Sequence, residues 1–224
     1  MIGVLGGTFD PVHFGHLHVA ECVHRVFAPE RILAVPCAAP PHKTRSDLSP
    51  AEHRLAMLRL AAESREWLEV SEIEIDRGGI SYTVDTLREL AWSSPKVAPV
   101  FIMGMDSLFE IHTWKSHVEL LREFDHVVVD RPGRDLGRAR EELDAEVVRR
   151  LVPVVFSDGA AAGRSGPPPG RGGRVYHLPI PPLAVSSSEI RLEAGRGATL
   201  DGLVPPPVAR YIRAHRLYAQ EATR

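Results

Sequence analysis

Disulfide chemistry, membrane spans and a bias of charge are all missing from this chain. Cysteine occurs twice in 224 residues, at Cys22 and Cys37, which argues against a disulfide-stapled scaffold and for a reducing compartment. No apolar run approaches the roughly 18–20 residues that a bilayer-crossing helix needs. The best candidate, VAPVFIMGM from Val97, reads as a buried strand. The N-terminus opens on apolar, Gly-rich sequence without a basic n-region, so no secretory signal is visible. These absences lead us to expect a cytoplasmic protein with no membrane partner. Lys+Arg number 27 against Asp+Glu 29, so the basic excess that marks a nucleic-acid footprint is lacking, and no nucleic-acid partner is expected.

What is present is the mix of a globular protein, 44% hydrophobic and 25% charged, in a chain long enough to bury a sizeable core. Short apolar runs alternate with stretches of helical period. Val4-Leu5 closes a strand that runs into a Gly6-Gly7 turn. Phe14 to Val26 reads as a helix with Leu17, Ala20, Cys22, Val23 and Val26 on its apolar face, and Ile32 to Val35 as a strand stopped by Pro36. Ser49, Pro50 and Glu52 have the spacing of a capping box, which predicts a helix from there to about Ser64. Val70, Ile73 and Ile75 predict a strand ending at Gly78-Gly79. Further helices are expected over Thr83–Leu90, after Ser116, over the charged Asp135–Arg150, from Ser186, and from about Pro207 to Tyr218. Further strands are expected at Val100–Met103, Val127–Val129 and Val175–Leu178.

This alternation predicts an α/β fold, a Rossmann-like parallel sheet with helices on both faces, in which the loops after Leu5, Val35 and Met103 face one site. Residues 158–174 break the pattern. They are low-complexity Gly, Pro, Ala and Arg, unable to bury a core, and are expected to form a flexible insertion in a single domain spanning residues 1–224.

The densest chemistry lies in Gly6-Gly7-Thr8-Phe9-Asp10-Pro11-Val12-His13-Phe14-Gly15-His16. It fits neither the dinucleotide fingerprint nor the P-loop. Paired glycines still let a polyphosphate approach the backbone, and a helix N-terminus follows. His13 and His16, three apart at the helix start, can point at one phosphate. The same spacing could serve zinc only with a third or fourth ligand from elsewhere, and neither cysteine sits in a metal-like motif. His18 and His24 read as surface or packing residues.

This string, with its H-x-G-H, resembles the nucleotidyltransferase superfamily. Pro40-Pro41-His42-Lys43, Ser81-Tyr82-Thr83-Val84-Asp85-Thr86-Leu87, Gly104-Met105-Asp106-Ser107-Leu108 with Trp114, Arg131-Pro132-Gly133, Ser186-Ser187-Ser188-Glu189-Ile190-Arg191 and Val204-Pro205 through Tyr218 follow in order. As an ordered set they resemble the bacterial nicotinate-nucleotide adenylyltransferases along nearly the whole chain. Ser188 stands where that family usually has Thr, and the 158–174 stretch is longer than its norm.

The resemblance implies adenylyl transfer from ATP to nicotinate mononucleotide, with Mg²⁺ on the triphosphate and no metal ligand from protein side chains. It implies that Gly6, Gly7, Thr8, Phe9, His13 and His16 bind ATP at its phosphates, that Gly104 also binds ATP, with Asp106 at a ribose hydroxyl, and that Ser187, Ser188 and Arg191 form a second anion site. His42, Lys43, Tyr82, Thr83 and Trp114 would hold the mononucleotide, Trp114 by stacking on the pyridine and Thr83 through its backbone N–H. His13, His16, Lys43 and Arg191 would be the catalytic set. By itself, Asp106 also reads as a helix N-cap, Lys43 as a solvated loop lysine and Trp114 as core. Rival readings are an enzyme using the amide nucleotide or phosphopantetheine, and a non-catalytic nucleotide sensor. A homo-oligomer is compatible with the sequence.

Overall fold

The computed structural model describes residues 1–40, 48–130, 143–154, 169–170, 172–181 and 183–219. In chain order these form β1 (Ile2–Gly7), α1 (Phe14–Phe27), β2 (Ile32–Pro36), α2 (Ala51–Ala62), β3 (Leu68–Val70), α3 (Ile73–Arg77), α4 (Thr83–Ser93), β4 (Pro99–Gly104), α5 (Met105–Phe109), a 3-10 turn (Ile111–Thr113), α6 (His117–Glu123), β5 (Asp125–Val129), α7 (Ala145–Arg150), β6 (Leu151–Pro153), β7 (Val175–Leu178), α8 (Ser187–Gly195) and α9 (Pro206–Ala214). All seven strands described are parallel, in the order β3-β2-β1-β4-β5-β7-β6. No helix among the described residues is long and apolar enough to cross a membrane.

Period-two alternation sorts the strand residues between two cores. Leu5, Ile32, Ala34, Ile102, Val127 and Val129 pack with residues of α1, α2, α8 and α9. Val4, Leu33, Val35, Phe101, Met103 and Val128 pack on the other face with residues of α4, α5, α6 and α7. Both faces are covered, which is why the strands read as near-continuous apolar runs. The chain winds outward from β1 through β2 to β3 and then reverses through β4 and β5. The carboxyl ends of β1 and β4 therefore flank a topological switch point, where open parallel sheets take their ligands.

Several expectations need correction. Gly6 and Gly7 belong to β1, paired with Val35 and Pro36. Ile73–Arg77 is a short helix ended by Gly78 at φ 67°, not a strand. Ser49 does not cap α2. Pro50 is the N-cap, and Ser49 instead gives its N–H to Asp10 and its carbonyl to Arg54. Asp106 lies inside the first turn of α5, and its N-cap is Gly104.

The 158–174 stretch also reads differently at its C-terminal end. Gly170 and Arg174 donate backbone N–H groups to the two oxygens of Asp125 (2.6 and 2.8 Å), a carboxylate that is 0% exposed. Gly173 sits at φ 62° with its carbonyl taken by Arg150. The rest of that stretch, Asp158–Pro168 and Arg171, lies outside the described residues, as do Asp135–Glu142 of the expected charged helix.

Candidate active site

A cavity of about 900 Å³ opens at the carboxyl ends of β1, β4 and β5, within the size range of nucleotide sites. Its wall includes Gly6 and Gly7 at the end of β1, Thr8 after it, His13 and His16 at the start of α1, Gly104 at the end of β4 and Asp106 in α5. Thr83 and Trp114 line it as well. Residues distant in sequence thus meet because parallel strands deliver every β-to-α loop to the same edge.

His13 is the N-cap of α1 and His16 its third residue, with ring centroids 3.7 Å apart. His16 Nδ1 accepts the backbone N–H of His13 (3.3 Å). That bond fixes the neutral tautomer: Nδ1 bears the lone pair and Nε2 the proton, so the ring presents a donor. The packing requires glycine at 15, because a Cβ there would lie 2.9 Å from the His13 ring. At this helix N-terminus the Phe14 N–H is already taken by the Leu203 carbonyl.

The other expected residues divide between the cavity and its supports. Phe9 is core, 1% exposed, its ring 4.9 Å from that of His16. Trp114 meets Phe101 edge-to-face at 6.0 Å. Tyr82 does not line the cavity; Lys115 Nζ lies 4.7 Å from its ring centroid and also pairs with Asp85. Ser187 donates to the Pro11 carbonyl (3.0 Å). Arg191 donates to the Asp10 carbonyl (2.7 Å) and to Ser188 Oγ (3.2 Å). Ser187 and Arg191 thus brace the first loop, Ser188 bonds Arg191, and all three are absent from the cavity wall. His42, Lys43 and Arg131-Pro132-Gly133 lie outside the described residues.

Sequence reasoning missed several residues. Arg54 is 2% exposed and donates to the carbonyls of Ser49, Thr8 and Cys37 (3.0, 3.0 and 2.8 Å). Thr8 and Cys37 line the cavity, whereas none of the described lining residues is Lys or Arg. Arg54 is therefore a fixed cation one layer behind the glycine loop. Its signal was available: Arg54 shares the i, i+3, i+4, i+7 stripe with Met57, Leu58 and Ala61, the buried face of α2.

Asp10, 1% exposed, accepts from the Ser49 N–H (3.0 Å) and the Tyr218 hydroxyl (2.6 Å). His18, expected as a surface or packing residue, lines the cavity with Nε2 donating to the Pro181 carbonyl (2.9 Å). Asp130 lines it with its carboxylate held by His177 (2.7 Å). Glu74 and Thr86 line it too, joined by a 2.6 Å hydrogen bond. His24 stacks on Trp67, a packing role. No group of three or more His, Cys, Asp or Glu among the described residues could hold a metal ion.

The cytidylyltransferase-like family model matches residues 4–193. A protein of Symbiobacterium thermophilum named "Probable nicotinate-nucleotide adenylyltransferase" is 43% identical over 217 residues, 97% of this chain and 94% of its own length. One of the same name from Moorella thermoacetica is 39% identical over 218 residues, 97% of this chain and 91% of its own length. Among solved structures, the Plasmodium falciparum nicotinic acid mononucleotide adenylyltransferase complexed with NaAD superposes with a TM-score of 0.73 at 19% identity. That match covers 97% of this chain and 96% of the other, and speaks for the fold alone. With near-complete coverage at such identities, the chain belongs to the nicotinate-nucleotide adenylyltransferase family, within the cytidylyltransferase-like proteins.

Proposed function

We propose that this protein transfers the adenylyl group of ATP to the 5′-phosphate of nicotinate mononucleotide in NAD biosynthesis. A phosphate oxygen of the mononucleotide attacks the α-phosphorus of ATP, the bond to the β-phosphate oxygen breaks, and nicotinic acid adenine dinucleotide and pyrophosphate leave. The observation that carries this reading is the His13–His16 pair at the start of α1, facing a cavity of about 900 Å³ whose wall also holds Thr83, Asp106 and Trp114.

The attacking phosphate is an anion near neutral pH, so the reaction needs alignment and charge stabilisation more than a strong base. His16 Nε2–H and the His13 ring are placed to donate to α- and β-phosphate oxygens as these gain charge. Arg54 adds a positive charge behind Thr8. ATP arrives as its Mg²⁺ complex, the ion being part of the substrate, and we assign the reaction to the cytoplasm.

At the other end, the N–H groups that open α4 at Thr83 suit a carboxylate. The NH₂ of the amide nucleotide would face those donors unmatched, a loss of about 1–3 kcal/mol. Steady-state kinetics with the acid and amide mononucleotides at saturating Mg-ATP test the assignment through pyrophosphate release. We expect kcat/KM to favour the acid by about ten- to a hundredfold. Equal or reversed values would assign the chain to the amide-using enzymes.

A further inference from the structure

The loop from Thr8 to Val12 carries His13 into the cavity, and it is held from behind by groups distant in sequence. Arg54 holds the Thr8 carbonyl, Arg191 the Asp10 carbonyl and Ser187 the Pro11 carbonyl. The Asp10 side chain is anchored separately, by the Ser49 N–H and by the hydroxyl of Tyr218, 208 residues away. We propose that Tyr218 is a positioning residue of the transfer reaction: by holding the buried Asp10 carboxylate, it fixes the loop from which His13 and His16 reach the phosphates. This rests on the adenylyl-transfer reading above.

A carboxylate that is 1% exposed has to be matched by donors. Asp10 forms no ion pair among the described residues, so its two hydrogen bonds carry that load. The bond from Tyr218, at 2.6 Å, is the shorter and has the length of a strong charge-assisted hydrogen bond. Burial, then the Asp10 charge, pushes the Tyr218 phenol above its ordinary range, so the hydroxyl stays a donor.

The backbone supports the same conclusion. Beyond α9 the chain passes through Arg216 at φ 50° and Tyr218 at φ 64°. Two non-glycine residues in the left-handed region carry a conformational cost that a firm anchor must offset. Tyr218 does not line the cavity, so its effect on chemistry runs through Asp10 and the loop.

Tyr211 supplies the comparison that separates positioning from packing. It lies in α9, and its hydroxyl hydrogen-bonds His53 of α2 (2.9 Å), tying down the same C-terminal segment without reaching the loop. Tyr218→Phe and Tyr211→Phe should be compared by steady-state kinetics, thermal melting and hydrogen exchange of a peptide spanning residues 8–16. Tyr218→Phe is expected to lower kcat about tenfold while KM for both substrates stays within about twofold. Exchange over 8–16 should quicken in the same variant. Tyr211→Phe should leave kcat and that exchange unchanged, even where its Tm falls.

Wild-type kcat and exchange in Tyr218→Phe would overturn the proposal, as would equal losses of kcat in both variants in step with Tm. If wild-type protein releases no pyrophosphate, the functional reading fails, and the exchange comparison still decides whether Tyr218 holds the loop.

Discussion

His16 Nδ1 accepts a backbone N–H, which leaves Nε2 as the ring's donor toward the cavity. Removing a donor that strengthens in the transition state typically costs about 2.7–4 kcal/mol. His16→Ala should therefore lower kcat by about a hundredfold or more, with KM less affected and the fold retained. Near-normal turnover with an unchanged melting transition would sink the role. The glycine–histidine loop was legible because its residues are contiguous and their types are uncommon together. Asp10, Arg54 and Tyr218 were not read as functional, because Arg54 reaches the loop through Thr8, 46 residues away, and Asp10 and Tyr218 act through each other, 208 residues apart. The placement of Arg191 and Ser187 behind the loop was hidden for the same reason: a cation and a hydroxyl at a helix start suit a phosphate and a backbone carbonyl equally well.

Strands were the most readable elements, since burial on both faces leaves little but apolar residues in them. The error at α3 shows where the pattern misleads. Ile73 and Ile75 alternate with Glu74 as in a half-buried strand, yet Glu74 is the buried residue, bonded to Thr86, and Gly78 terminates a helix. β6 was missed because it is three residues long.

The strand β6 also changes the meaning of the low-complexity stretch. Because β6 and β7 are parallel neighbours, the chain between them must return from the carboxyl to the amino edge of the sheet and cannot be shortened to a hairpin. Deleting all of 158–174, which composition alone would allow, should therefore be destabilising. It removes both backbone donors of buried Asp125. The sharper test is Gly173→Ala. A Cβ there would lie 2.5 Å from the Leu121 carbonyl oxygen at a residue held at φ 62°. A loss of about 1–3 kcal/mol is expected from the strain, read as a lower urea midpoint. Replacing residues 158–168 by Gly and Ser at equal length should leave the midpoint in place. The opposite ranking would mean that composition, not the Asp125 anchor, describes this connection.

Among the few polar side chains buried against the two cores of the sheet, His126 gives the molecule an acid sensitivity. It is 0% exposed on β5, beside Phe101, and neither ring nitrogen makes a hydrogen bond among the described residues. Burial lowers its pKa to about 4 from 6.5; the Phe124 backbone opposes this, and the Arg150 charge reinforces it. Between those values the unfolded chain binds a proton here that the folded chain refuses. Stability should therefore be complete above pH 6.5 and decline as pH falls toward 4, by roughly 3 kcal/mol at most. Glu123, whose pKa is lowered mainly by its hydrogen bond from Arg88, loses its contribution only at lower pH, as the carboxylate itself is protonated. Of these two groups, only His126 acts in the window from 6.5 down to about 4.5. His126→Leu removes the titration and also a polar ring that makes no hydrogen bond among the described residues, so it should melt at or above the wild-type temperature at pH 5. Melting curves between pH 7.5 and 4.5 would then show a shallower slope for the variant. Parallel slopes would place the acid sensitivity elsewhere in the molecule.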